Sequence, residues 1–238
     1  MTTGVRRRMG VQERRQQLIA VALELFSERS PDEVSIDDIA SAAGISRPLV
    51  YHYFPGKHSL YEAAVRVAAE ELAGRLSEPC EGPLGSRLLR VIGRYFDFVA
   101  KNGPGFAALL RGGMAIGPAQ ANAMIDRVRQ RAYEEILRHL AVTSPGPRLA
   151  LVIRSWVGLA ETTALTWLDG RTIPRTELER QLVQDFLALA GVAAATDEET
   201  ADVVRHIVAM EPADSPFTEL VDRLLALVPD GRSKDSGS

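Results

Sequence analysis

Between Ser35 and Lys57 the chain sets two short apolar-periodic stretches on either side of a single glycine, and few folds accommodate that arrangement. Ser35 is a natural N-cap, and Asp38, three residues on, is placed to return the bond as in a capping box. Val34 and Ile39 flank it as a hydrophobic staple. Gly44 supplies the left-handed residue that ends this helix, and Ile45 follows as a core residue. The next helix opens at Ser46 or Arg47, with Pro48 restraining the residue before it. Within it Val50 and Phe54, four apart, face inward, and Pro55-Gly56 ends it. A preceding helix from about Val11 to Arg29, with Ile19, Ala22, Leu23 and Phe26 on one face, braces the pair. The spacing predicts a three-helix unit of helix-turn-helix form.

The outward face of its last helix carries Arg47, Leu49, Tyr51 and His52. Four consecutive residues, Tyr51 to Phe54, cannot all point into a core, so buried aromatics alone do not account for the run. An exposed helix of this kind enters the DNA major groove by its N-terminal residues. Arg47 has the donors for guanine edges, and Leu49 and Tyr51 have apolar surface for thymine methyls. Phosphate oxygens suit Lys57, the Tyr53 hydroxyl and the N-terminus of the preceding helix at Ser35 and Ile36. Ser46, at the head of the exposed helix, joins the same DNA-facing set.

Ile39-Ala40-x-x-Ala43-Gly44-Ile45-Ser46, followed by Leu49-Val50-Tyr51-His52-Tyr53-Phe54-Pro55-Gly56-Lys57-x-x-Leu60, resembles the TetR family of bacterial transcriptional regulators over roughly residues 11 to 62. The resemblance implies that Arg47, Pro48, Leu49, Tyr51 and His52 face DNA and that Tyr53 and Lys57 clamp phosphates. It also implies a larger helical domain whose last two long helices pack as a four-helix bundle across a dimer. Asp37 and Asp38 depart from the family, some of whose members place a basic DNA contact on that helix. Capping and helix-dipole preference account for acids there.

Apolar periodicity without strand-like alternation makes the whole chain all-α. Helices are expected near 59–77, 86–101, 104–111, 118–142, 147–169 and 176–194. Thr196 with Glu199 forms a capping box opening another, to about Met210. Ser215-Pro216 opens the last, with Phe217, Leu220, Val221, Leu224 and Leu225 as its stripe. The expected organisation is a helix-turn-helix DNA-binding domain at 1–60 with a basic arm at 1–10, a helical ligand-binding and dimerisation domain at 61–229, and a disordered tail at 230–238. The net charge is −3, but Arg6, Arg7, Arg8, Arg14 and Arg15 stand against Glu13 alone before residue 18. A basic footprint on a mildly acidic body suits local DNA contact.

Cys80 is the single cysteine, so no internal disulfide or thiolate metal site is expected. His52, His58, His139 and His206 are scattered, and no nucleophile elbow, zinc-protease or P-loop motif occurs. No catalytic residue, cofactor or metal is therefore assigned. With no signal peptide and no apolar run of membrane-spanning length, a cytoplasmic protein without a membrane partner is expected. In the second domain the helix 147–169 is apolar nearly all round, which implies deep burial. Arg154 and Glu161, seven apart on one face of it, read either as a salt bridge or as a polar handle in a ligand cavity. Phe96, Phe106, Met114, Met124 and Tyr133 are candidate walls of that cavity, with Trp156, Thr163 and Trp167. The dimer interface is expected in the helices around Trp156 and Leu187, with Gly158, Ala160, Ala164, Ala188 and Gly191 allowing close helix approach.

The resulting reading is a homodimeric, DNA-binding transcriptional regulator. It is a repressor of a near-palindromic operator, released by a small, largely apolar effector of unknown identity. The alternatives are a small-molecule carrier or enzyme retaining a helix-turn-helix start, and a regulator that answers no small molecule.

Overall fold

The computed structural model describes residues 10–111 and 118–226. Arg6, Arg7, Arg8, Met114 and the expected tail at 230–238 lie outside the described residues. Ten α-helices follow one another with no strand among the described residues: α1 Val11–Glu28, α2 Ile36–Ala43, α3 Arg47–Tyr53, α4 Lys57–Arg75, α5 Leu84–Leu110, α6 Pro118–Leu140, α7 Pro147–Gly170, α8 Arg175–Ala194, α9 Glu198–Met210 and α10 Pro216–Ala226.

Two compact units divide the chain, and neither is one continuous stretch. The first holds the chain up to Gly74 together with Phe98–Val128; the second holds Arg75–Asp97 and the chain from Arg129 onward. In the first, Leu18, Ala22 and Phe26 of α1 meet Val34, Ile36, Ile39, Val50, Phe54, Leu60 and Ala64 in one apolar core. Ile19 and Leu23 pack at its edge. The segment after a break in α5 joins this core. Asn102 has φ −111° and ψ 20°, inside what is otherwise one helix. Pro104 lacks the N–H to continue the ladder, and the Asn102 side chain donates to the Phe98 carbonyl at 2.9 Å. Just beyond the break, a Cβ on Gly105 would stand 3.0 Å from the Phe26 carbonyl, so glycine permits the close approach to α1.

In the second unit α7 and α8 pack together, and α9 and α10 pack on α8. Trp156 donates its indole N–H to the Leu182 carbonyl at 2.7 Å and stands edge-on to Phe186 at 5.4 Å. The side chains of Trp156 and Leu187 are therefore interior to the single chain. Ala160 and Ala164 are likewise buried within the chain. Deep burial of α7 all round is not observed, because Leu151 is 65% exposed. The open faces instead carry Leu151, Ser155 and Thr162 on α7 and Ala188, Gly191 and Val192 on α8, with Gly158 half-buried beside them.

The expected box of Thr196 with Glu199 is replaced by one residue further on. Asp197 caps α9 by accepting from Thr200 N at 3.0 Å. Glu199 reaches across to the head of α7, where both its oxygens accept from Gly146 N, at 3.0 and 2.9 Å. Glu211 does the same for α5, accepting from Gly85 N at 2.9 Å. The C-terminal helices are thus fastened by carboxylates that satisfy orphan donors at two helix N-termini. On α10, Phe217 is buried but Leu224 is 50% exposed.

Candidate nucleic-acid interface

α2 is fixed at both ends by its own residues. Ser35 Oγ accepts from Asp38 N at 3.1 Å while Asp38 Oδ2 accepts from Ser35 N at 2.8 Å, completing the capping box. Those Ser35 bonds, side chain first, hold the Asp38 carboxyl below the usual carboxylate range. Gly44, at φ 64° and ψ 37°, closes the helix. Its N–H reaches the Ser41 carbonyl at 3.1 Å and Ile45 N reaches Ala40 at 3.0 Å, the paired bonds of a Schellman turn.

α3 starts at once, with Ser46 as its N-cap and Pro48 in its first turn. Val50 and Phe54 are fully buried, which fixes the rotation of this short helix about its axis. The opposite faces present Ser46, Arg47, Pro48, Leu49, Tyr51 and His52 to solvent. From behind, Arg15 of α1 donates to the Tyr53 carbonyl at 3.0 Å and lies over the Phe54 ring at 4.3 Å. Arg15 belongs to the basic stretch by sequence, but its guanidinium supports α3 from within the unit.

Ile36 is buried, and what it can offer DNA is its backbone N–H, a first-turn donor with no partner inside α2. Both Ser35 donors are engaged by Asp38 Oδ2, at 2.8 Å from N and 2.7 Å from Oγ. Tyr53 is half-buried, with its ring edge-on to His52 at 5.1 Å. Lys57 opens α4, two residues before the helix start expected at 59, and its Nζ donates to the Pro31 carbonyl at 2.8 Å. Two of its three donors are left for other acceptors. Arg47 donates from Nη1 to Asp37 Oδ2 at 3.0 Å and from Nη2 to the Tyr51 hydroxyl at 3.4 Å. No sequence pattern announced that pairing, since the two residues lie ten apart on different helices.

The residues named as cavity walls are divided between the two units. Met124 belongs to the core of the first unit, to which Phe106 also belongs. Phe96, Tyr133, Arg154, Trp156, Glu161, Thr163 and Trp167 belong to the second. Arg154 and Glu161 each have a partner on α6, and the salt bridge that Glu161 makes is with Arg129. Arg129 grips Glu161 with Nε and Nη2, at 2.9 and 2.6 Å, and Arg154 lies over the Tyr133 ring at 4.3 Å. Phe96 and Trp167 remain as a buried edge-to-face pair at 5.4 Å, with Thr163 half-buried a turn earlier on α7. Among the described residues no cluster of His, Cys, Asp and Glu is arranged to hold a metal ion, and no helix is long and apolar enough to cross a membrane.

A short, exposed helix locked by its inner face, behind a capped helix and a left-handed glycine, defines a helix-turn-helix DNA-binding protein. Residues 18–64 match the family model described as bacterial regulatory proteins of the tetR family, and residues 84–189 match the tetracyclin repressor-like C-terminal domain. A TetR-family transcriptional regulator from Streptomyces coelicolor is 69% identical, with 92% of this chain and 99% of that one aligned at a TM-score of 0.89. The transcriptional activator FasR of Mycolicibacterium smegmatis is 25% identical over 163 residues, 66% of this chain and 74% of its own length. The nucleoid occlusion factor SlmA of Haemophilus influenzae is 31% identical over 105 residues, 43% of this chain and about half of its own length, 48%. The chain belongs to the TetR family and is a DNA-binding transcriptional regulator.

Proposed function

We propose that two copies of the chain bind one near-palindromic operator, each laying α3 in the major groove. Arg47 meets a guanine edge, and Leu49 and Tyr51 meet thymine methyls. Pro48 and His52 lie along the groove, while Ser46, Tyr53, Lys57 and the backbone N–H of Ile36, next to the Ser35 cap, meet phosphate. The observation that carries this reading is the fixed rotation of α3, whose buried Val50 and Phe54 oblige Arg47, Leu49 and Tyr51 to face outward. It is tested on the duplex that the wild-type protein selects from a random-sequence library. Arg47→Ala is expected to cost about 1–3 kcal/mol on that duplex and little on a scrambled one. Equal affinity of wild type and variant for the selected duplex contradicts the assignment.

The partner copy is supported by the open faces of α7 and α8. Leu151 is 65% and Val192 77% exposed, and a Cβ at Gly158 or Gly191 would meet nothing within 4 Å. Small residues beside unpartnered aliphatic ones allow two further helices to approach closely, and an isologous pairing completes a four-helix bundle. The regulator acts in the cytoplasm, where operator DNA lies. An apolar effector binds in the second unit beside Phe96, Thr163 and Trp167 and releases the operator by favouring the DNA-incompetent state. Compounds that displace operator must then bind the free protein more tightly than the complex, by the same factor. Repression is the first reading of the output, favoured by the match to a repressor-like domain. The likeness to FasR, named an activator, favours activation as the second.

A further inference from the structure

We propose that Asp37 is a specificity-determining residue, whose carboxylate restrains Arg47 so that sequence-blind phosphate contact is disfavoured relative to a guanine edge. The inference rests on the reading that Arg47 meets DNA. Asp37 and Arg47 sit on successive helices of the DNA-reading unit, and Asp37 Oδ2 accepts from Arg47 Nη1 at 3.0 Å. Tyr51, one turn along α3, accepts from Nη2 at 3.4 Å, and its ring centre is 5.7 Å from Cζ.

The pair does not hold the fold together. Its side chains are 55% and 65% exposed, and exposed ion pairs add little stability. Nor is Asp37 a cap, because that work falls to Asp38, whose Oδ2 accepts from both Ser35 N and Ser35 Oγ. The two neighbouring acids of α2 therefore do different things, and Asp37 is left with Arg47.

Arg47 is the one arginine or lysine in α3. Unrestrained, it would take any phosphate within reach and release a counterion whatever the sequence. Held by Asp37, it can do so only by breaking the ion pair and bringing a carboxylate towards a phosphate. A guanine edge imposes no such conflict. Asp37 and Tyr51 each engage one hydrogen of a terminal nitrogen, and each nitrogen keeps a second for a bidentate grip. The carboxylate also limits the directions the fork can take.

The test uses Asp37→Asn, which keeps shape and removes charge, with Asp32→Asn as an exposed charge control in the same unit. Binding is titrated against salt on two duplexes: the one the wild-type protein selects from a random library, and its scrambled version. Asp37→Asn is expected to melt with the wild type and to bind the scrambled duplex about fivefold more tightly, its salt slope steeper by about 0.9. Affinity for the selected duplex should change less, so the ratio of the two falls. In an Arg47→Ala background the same substitution should do nothing. If Arg47→Ala weakens selected-duplex binding while Asp37→Asn alters neither ratio nor slope, Asp37 has no such role. An equal effect from Asp32→Asn also overturns it, by reducing the effect to net charge. If Arg47→Ala leaves every affinity unchanged, the site reading itself fails and the role of Asp37 with it.

Discussion

Arg15 shows how a side chain's neighbours decide what its charge is for. In the sequence it counts towards a basic arm, yet in the fold its guanidinium is held by the Tyr53 carbonyl and the Phe54 ring. Arg15→Met should therefore weaken selected and scrambled duplexes alike through a loosened α3, with the salt slope unchanged. Loss of a phosphate contact would instead lower the slope by about 0.9, so parallel salt titrations separate the two. His139 is the corresponding case in the second unit. Its Nδ1 lies 2.8 Å from Arg87 Nη1, both side chains are buried, and burial, then Arg87 and Arg138, push its pKa down. The folded state thus resists a proton that the unfolded chain accepts. The stabilisation is present above the ordinary histidine value of about 6.5 and is lost as pH falls below it. His139→Gln should flatten the dependence of unfolding free energy on pH between about 7 and 5. An unchanged slope would show that His139 protonates in place.

At the scale of elements, what was legible in the sequence is what is local. The Ser35 cap with Asp38, the glycine at 44 and the inward pair Val50 and Phe54 are bonds and faces closing within three or four residues, and the structure has them all. Gly44→Ala puts a Cβ on a backbone at φ 64° with nothing nearby to clash, so its cost is conformational strain alone, about 1–2 kcal/mol. Chemical denaturation should register that loss; an unaltered midpoint would mean that the turn relaxes to another geometry. Non-local choices were not legible. Glu199 had the spacing to cap α9 but serves the head of α7, 53 residues away. Arg154 and Glu161 had the spacing to pair but found Tyr133 and Arg129 on α6. Helical periodicity says which residues share a face, not which neighbour that face will meet.

For the whole molecule, the linear order of the chain conceals that α4, α5 and α6 each contribute to both compact units. Composition could not reveal this, because Met124 and Gly105 look like ordinary residues of a second domain until they are seen against the core around Phe26. Dimerisation belongs to the same scale. Val192, 77% exposed, loses nothing within one chain when replaced. Val192→Glu should accordingly keep the melting behaviour of the monomer but sediment as one chain at micromolar concentration, where the wild type sediments as two. A Val192→Glu dimer would move the interface off α8. The central claim, that α3 reads sequence through Arg47 in each of two copies, is tested most directly by selecting duplexes from a random library in parallel with wild type and Arg47→Ala. The wild type should recover a near-palindrome with a guanine at symmetry-related positions about 34 Å apart or at a multiple of that spacing, and Arg47→Ala should recover the palindrome with that guanine lost. The same consensus from both proteins, or one without symmetry, would contradict the account.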